Sequence, residues 1–466
     1  MNLHPLLGAA YRRRFVIILL LVAVMNFADR AVFSVLSPLI RADLHLTDTQ
    51  IGLLQGLSFA LLYGGLGIPI GRLAERHSRV RIIALATAIW SAATAFSGMA
   101  GNYLQMALAR VSVGMGEAGF TAPTSSLVAD HFPRERRASG MSLIMLGLPL
   151  GSMLGAIVAG QIAQHWGWRA AFFAFGVPGV LIALLTWFGL TEPPRGLADG
   201  GRGEARQIPS LGAVLRHLIA VPTLRWIVIG GAICAIGIQG VSQFMTLFLV
   251  RNFHLPISTA GAIFGVISGA SLAVGLVTGA FGTDRASHRD VRWWVIAPAI
   301  ALSITPVIFI LAFNNAVFAL AAVLLAAGCF GAMIHYGPTV GLIQNLTPVS
   351  MRSSAAAVFA MLYALVGSGI GPTLVGFISD RAGATAFGNP LYAQQCRPGH
   401  VDAALVEACG AAARIGLARA LSVTVLAFAV AAVFYWLAVR TISRDLGRDP
   451  GRDPASRATS TSSRNA

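Results

Sequence analysis

Four charged residues stand where charge is costly. The apolar run Phe15 to Leu39 is long enough to cross a bilayer and carries Asp29 and Arg30 side by side near its middle; a second run, Leu104 to Val128, carries Arg110 and Glu117. Insertion scales put a charge at a helix centre at roughly 2.5–3.5 kcal/mol, so such residues face a water-filled cavity or a partner and mark a transport path. Adjacent residues point about 100 degrees apart on a helix. Asp29 and Arg30 therefore do not easily cancel each other, although a self-neutralised pair that only bends its helix is the bland alternative. Arg110 and Glu117, seven positions apart, lie two turns apart on nearly one face. At ~1.5 Å per residue, Arg110 sits about 10 Å below the outer boundary, level with Asp29 and Arg30, and Glu117 about 10 Å deeper. Two acids and two guanidinium groups can thus meet across the two runs. The chemistry expected is anion capture by Arg30 and Arg110, whose planar forks suit carboxylate or phosphate, and proton carriage by Glu117 assisted by Asp29. A permanent salt-bridge knot is the structural alternative.

The elements that must position these groups follow from composition. With 56% hydrophobic and 11% charged residues and a mean hydropathy of +0.72, the chain reads as a polytopic, all-α membrane protein. About twelve runs of roughly twenty apolar residues, from Phe15–Leu39 to Ile415–Val439, match the length that a hydrocarbon core of ~30 Å demands. The formal charge of +16 does not form a nucleic-acid patch, because the arginines fall in alternate loops: Arg12 to Arg14, Arg72 to Arg81, Arg134 to Arg137, Arg285 to Arg292, Arg440 and Arg444. The positive-inside rule then puts both termini in the cytoplasm, in a bacterial inner membrane. The first run is too long, and too charged at its centre, for a secretory signal.

The chain repeats itself. Pro133 and Arg137 keep the spacing of Pro348 and Arg352, Glu75-Arg76 has a counterpart in Asp284-Arg285, and Gly151, Gly155 and Gly160 recur about 216 positions later as Gly367, Gly371 and Gly376. Two pseudo-symmetric six-helix halves are expected, 1–190 and 223–440, joined by a flexible cytoplasmic linker at 191–222 rich in glycine and proline. The glycine ladders suggest close packing where helices of the two halves slide. An outer loop, 380–414, contains Cys396 and Cys409, for which a disulfide is plausible on the oxidising side. Residues 441–466 form a basic tail too polar to order itself.

The second half offers polar groups without fixed charge: Gln239 and Gln243 one turn apart, and His335 with Tyr336. A cavity charged on one wall and amide-lined on the other suits an amphipathic or anionic small molecule, the partner expected alongside protons and membrane lipids. No phosphate-binding loop and no His-Glu-x-x-His zinc pair is present, which argues against an ATP-driven pump or a metalloenzyme; no cofactor or metal is expected, and a monomer is assumed. A channel or scramblase using the same groove is harder to separate from a coupled carrier.

Several stretches resemble a known family. Gly71-Arg72-Leu73-Ala74-Glu75-Arg76-His77-Ser78-Arg79 is similar to the loop signature of the major facilitator superfamily, and Arg110 followed by Gly114 and Gly116 resembles its fourth-helix motif. More narrowly, Asn26-Phe27-Ala28-Asp29-Arg30, Asp48-Thr49-Gln50-Ile51-Gly52, Gly114-Met115-Gly116-Glu117-Ala118-Gly119 and Gly167-Trp168-Arg169, with Gly371-Pro372 and Ser379-Asp380 in the second half, resemble the spinster-like transporters. The resemblance implies the twelve-helix fold and a proton-linked carrier, with lysophospholipids and sphingoid phosphates as substrates of animal members. It also implies that Gly71, Glu75, Arg76, Asp284, Arg285, Arg137 and Arg352 form gating loops.

Overall fold

The computed structural model describes residues 6, 8–133, 136–199, 210–348, 351–389, 391–396 and 401–447, and among these there are helices and no strands. Among the described residues, ten helices or helix pairs are long and apolar enough to cross a membrane. One of them, Ser139–Gly189, is two crossings folded at Gly167, whose φ of +80° is a backbone state that glycine alone adopts freely. Adding the charged pair of helices Tyr103–Glu117 and Thr121–His131 gives twelve crossings. Side-chain caps set some of their starts. Thr47 and Gln50 form a reciprocal cap at 3.2 and 2.9 Å that begins the second crossing, and Asn102 caps the fourth through Gln105 N–H at 3.0 Å. The faces turned away from the bundle expose Leu104, Phe188, Phe281 and Val323, an apolar girdle that only lipid satisfies.

The glycine ladders pack within each half, not between halves as the sequence led us to expect. A Cβ on Gly155 would lie 2.7 Å from Ala28 Cα, and Gly147 and Gly151 meet Ala23 and Val24 of the same first helix. In the second half Gly367 and Gly371 meet Ala235, Ile236 and Gly240 of the seventh crossing. Only the last rung of each ladder reaches across: Gly160 packs on Ile257 and Ser258, and Gly376 on Asp48 and Thr49. Each thus touches the start of the second helix of the opposite half, so the interface repeats the internal symmetry.

The halves are closed at the face opposite the termini and apart at the terminal face. The fifth and eighth crossings stay in contact from Gly160 down to Pro149 and Gly269. Beyond that level Leu146, Leu143, Ser142 and Ser139 line an open cavity of about 480 Å³. The second and eleventh crossings likewise touch from Gly376 to the Gly64–Leu365 level, after which a Cβ on Gly67 would meet nothing.

Three expectations about connecting segments need correction. The described parts of 191–222 are ordered: Glu192 binds the third crossing, and a helix, Leu211–Ala220, buries Val214 and Leu218 while His217 Nε2 lies 3.1 Å from Leu346 O. Residues 200–209 lie outside the described residues. The outer loop is shorter than 380–414, because one helix runs to Phe387 and the next starts at Val406. The basic tail begins as a helix, Ile442–Gly447, held by Asp445 accepting from Thr223 N–H at 3.0 Å and its hydroxyl at 2.8 Å; residues 448–466 lie outside the described residues.

Candidate functional site

The fourth crossing breaks immediately after Glu117, where Tyr103–Glu117 ends and Thr121–His131 begins. Its counterpart in the second half, the tenth, breaks at Ile334–His335 between Phe318–Met333 and Tyr336–Asn345. Interrupted helices at membrane depth are tolerated where they are buried in protein or line a cavity. Gly114 seats the fourth crossing so close to the second that a Cβ there would press on the Phe59 carbonyl, and Gly116 packs on Trp90 of the third.

This packing brings the charges together. Arg30 donates through Nε to Glu117 Oε2 at 2.7 Å, and its Nη2 lies 2.6 Å from the same oxygen. Its guanidinium also sits over Phe59 and Tyr63, each at 4.9 Å. Asp29 turns the other way and accepts from the Thr94 hydroxyl at 3.0 Å, so the adjacent pair diverges, as helix geometry requires. Arg110 is 4% exposed and rests on Phe33 at 4.6 Å and Phe59 at 5.6 Å. Among the described residues it makes no ion pair. Among these charged groups, three buried atoms are left without a hydrogen bond: Arg110 Nε, Glu117 Oε1 and Asp29 Oδ1. Such atoms carry a desolvation cost of about 1–3 kcal/mol each, more for charged groups.

The polar groups of the second half are arranged differently from the wall that the sequence suggests. Gln239 donates to Ser368 Oγ at 2.6 Å. Gln243 takes part through its backbone, whose carbonyl accepts from Ser34 Oγ at 3.2 Å and from Gln55 Nε2 at 3.1 Å, while its own Oε1 is buried without a partner. His335 is fully buried in an aromatic cluster with Tyr336, Tyr363 and Tyr435 at ring distances of 6.1–6.2 Å, and its Nδ1 lies 2.7 Å from Ala332 O. Of the loop residues, Glu75, Arg76, Asp284 and Arg285 are exposed and the structure does not bring them into ion pairs among the described residues, while Gly71 packs loosely near Ala122. Arg137 and Arg352 make equivalent bonds, from Nε to the carbonyls of Phe132 and Thr347 at 3.1 and 3.2 Å. Cys396 and Cys409 are disulfide-bonded, with Cα atoms 5.3 Å apart.

Sequence reasoning missed two clusters. At the closed face Asp48, 3% exposed, accepts from Arg41 Nε at 2.7 Å, from Arg251 at 2.6 and 2.5 Å and from Ser379 Oγ at 2.6 Å. Asp380 in turn accepts from the N–H groups of Asp48 and Thr49 at 3.1 and 2.8 Å. The stretches Asp48-Thr49 and Ser379-Asp380, singled out separately in the sequence, are therefore one contact. At the terminal face Arg79 is buried between Asp130 and Glu192, the latter at 2.7 Å.

A two-halved membrane bundle, closed at one face over a buried and incompletely paired set of charges, is the architecture of a secondary transporter. The chain belongs to the Major Facilitator Superfamily, whose family profile matches residues 19–372. Such proteins carry small molecules across membranes and are not enzymes. An MFS-type efflux pump of Mycolicibacterium smegmatis is 30% identical over 439 residues, covering 92% of this chain and 93% of that protein. The sphingosine-1-phosphate transporter SPNS2 of Danio rerio is 26% identical, covering 77% and 74%. A solved bacterial homolog of the human lysosomal transporter Spinster, in an inward-facing and unoccupied conformation, matches with a TM-score of 0.87 and 28% identity over 94% of this chain and 99% of that one.

Proposed function

We propose that the chain is a proton-coupled transporter of an amphipathic, anionic small molecule, working by alternating access as a monomer in a bacterial inner membrane with both termini cytoplasmic. The observation that carries this reading is Arg110, a buried guanidinium on an aromatic bed with no carboxylate partner among the described residues. An anionic head would complete it, and the half-buried Tyr63 ring, stacked on Phe59, would meet an apolar tail. Once bound, that anion competes with Glu117 for Arg30. Released from its counter-charge, Glu117 takes up a proton, with Asp29 Oδ1 as a second acceptor nearby; the opposite exchange discharges it. A relative named as a sphingosine-1-phosphate transporter fits this substrate class.

The test is transport by the purified chain in proteoliposomes under an imposed pH gradient, across lysolipids and organic anions. We expect gradient-driven movement of at least one amphipathic anion. Arg110→Lys should bind it at least tenfold more weakly, since an ammonium cannot form the fork. Glu117→Gln should keep binding and exchange but lose its dependence on the gradient. Accumulation by Glu117→Gln at the parental rate would refute the proton assignment, and equal loss of binding and coupling would favour a structural knot. Movement of lipid without any gradient would mean a passive path.

A further inference from the structure

A basic cavity lies apart from Arg30 and Arg110, at the closed face. It measures about 350 Å³ and is roofed by the disulfide-bonded Cys396 and Cys409. Arg41, Arg251, His254 and Arg414 line it, and no carboxylate does. The acids behind it, Asp48 and Asp380, are already committed, while Asp402 and Glu407 are exposed beside the lining residues Val401 and Val406. Asp48 accepts four hydrogen bonds from Arg41, Arg251 and Ser379. Both oxygens of Asp380 are taken by the Asp48 and Thr49 N–H groups and by the Thr49 hydroxyl at 2.6 Å. Arg41 spends only its Nε on Asp48, and Arg414 makes no ion pair among the described residues. Three guanidinium groups therefore converge on one open space with two saturated carboxylates behind it. Planar forks with spare N–H donors match the paired oxygens of a carboxylate, sulfate or phosphate.

We propose that this cavity is an oxyanion-binding site on the face opposite the termini, distinct from the central site, and that its occupant loosens the closed face. The coupling follows from shared guanidinium groups. Arg41 belongs to the first half and Arg251 to the second, and Asp48 is what holds them together. An oxyanion that accepts from the spare donors of these guanidinium groups draws their charge toward the cavity and away from Asp48, so it binds better when that contact is released. By reciprocity it must then favour release. The reading of the central site can fail without affecting this one, because the two share no residue.

Purified full-length chain is titrated with sulfate, phosphate and acetate, each against chloride at equal ionic strength, with heat of binding as one readout. Spin labels on the two halves at the closed face supply a second, as a distance distribution. Saturable binding of at least one oxyanion is expected, weakened roughly tenfold by Arg414→Ala, the loss of one charge-assisted hydrogen bond, and unchanged by Arg110→Lys. The bound ion should shift the label distances outward in the parent, and at the same concentration much less in Arg414→Ala. Binding of none of the three above chloride, or equal binding by Arg414→Ala, overturns the site. Binding with unchanged distances overturns its coupling to the closed face, and sensitivity to Arg110→Lys would return the ion to the central site.

Discussion

Arg30 and Arg110 differ in partner but share a seat. Phe59 lies under both guanidinium groups, at 4.9 and 5.6 Å. A ring in this position holds two like charges near each other with its negative face, at about 0.5–2 kcal/mol for each contact. Phe59→Leu keeps most of the apolar volume and removes the ring. Substrate affinity should fall about twofold to thirtyfold, read by titration of the purified variant, with little change in thermal midpoint. The four central charges were legible because an ion in an apolar run stands out against its neighbours. Their aromatic seats were not, since Phe27, Phe33, Phe59 and Tyr63 look like any other residues of such runs. The backbone role of Gln243 was hidden for a related reason: a side chain can be read from sequence, but a backbone carbonyl that serves Ser34 and Gln55 cannot.

Among the elements, the ladders distinguish stability from motion. Gly155 presses on Ala28 within one half, whereas Gly376 presses on Asp48 and Thr49 of the other, where a Cβ would lie 2.9 Å from Thr49 Cα. Valine at either place overpacks the contact, a cost of about 1–3 kcal/mol. In Gly155→Val that cost should lower the thermal midpoint. In Gly376→Val the halves can escape it by separating, so label distances across the closed face should lengthen while the midpoint changes less. The spacing of the ladders was readable, but which helix each would face was not, because period four specifies a face and not its neighbour. The linker offers a different test. Burial pushes the Glu192 carboxyl up, but bonds from Val80 N–H, Arg79 and Ser78 outweigh it and leave the carboxyl below the ordinary glutamate range. A depressed carboxyl stabilises fully above the unfolded value of about 4.3 and loses that contribution as the pH falls through its lower folded value. Acid should therefore free this end of the linker, seen as faster hydrogen exchange at Val80. Glu192→Gln should show that faster exchange already at neutral pH.

At the scale of the molecule, the twelve crossings followed from length and hydropathy, because lipid imposes those on the sequence directly, and the two-fold repeat followed from matched loops. The direction in which the bundle is closed did not follow, since it depends on contacts between residues remote in the chain. Asp48 is the extreme case: Arg251 lies 203 residues after it and Ser379 lies 331. During synthesis the second crossing enters the membrane with this carboxylate matched only by Arg41 from its own half. Its remaining partners do not yet exist. They arrive when the seventh and eleventh crossings emerge, so completion of the Asp48 contact reports that nearly the whole chain has been inserted and that the halves have met in register. A chain truncated before the eleventh crossing would carry the unfinished contact, and its closed face would lack the bond from Ser379 that the finished molecule has.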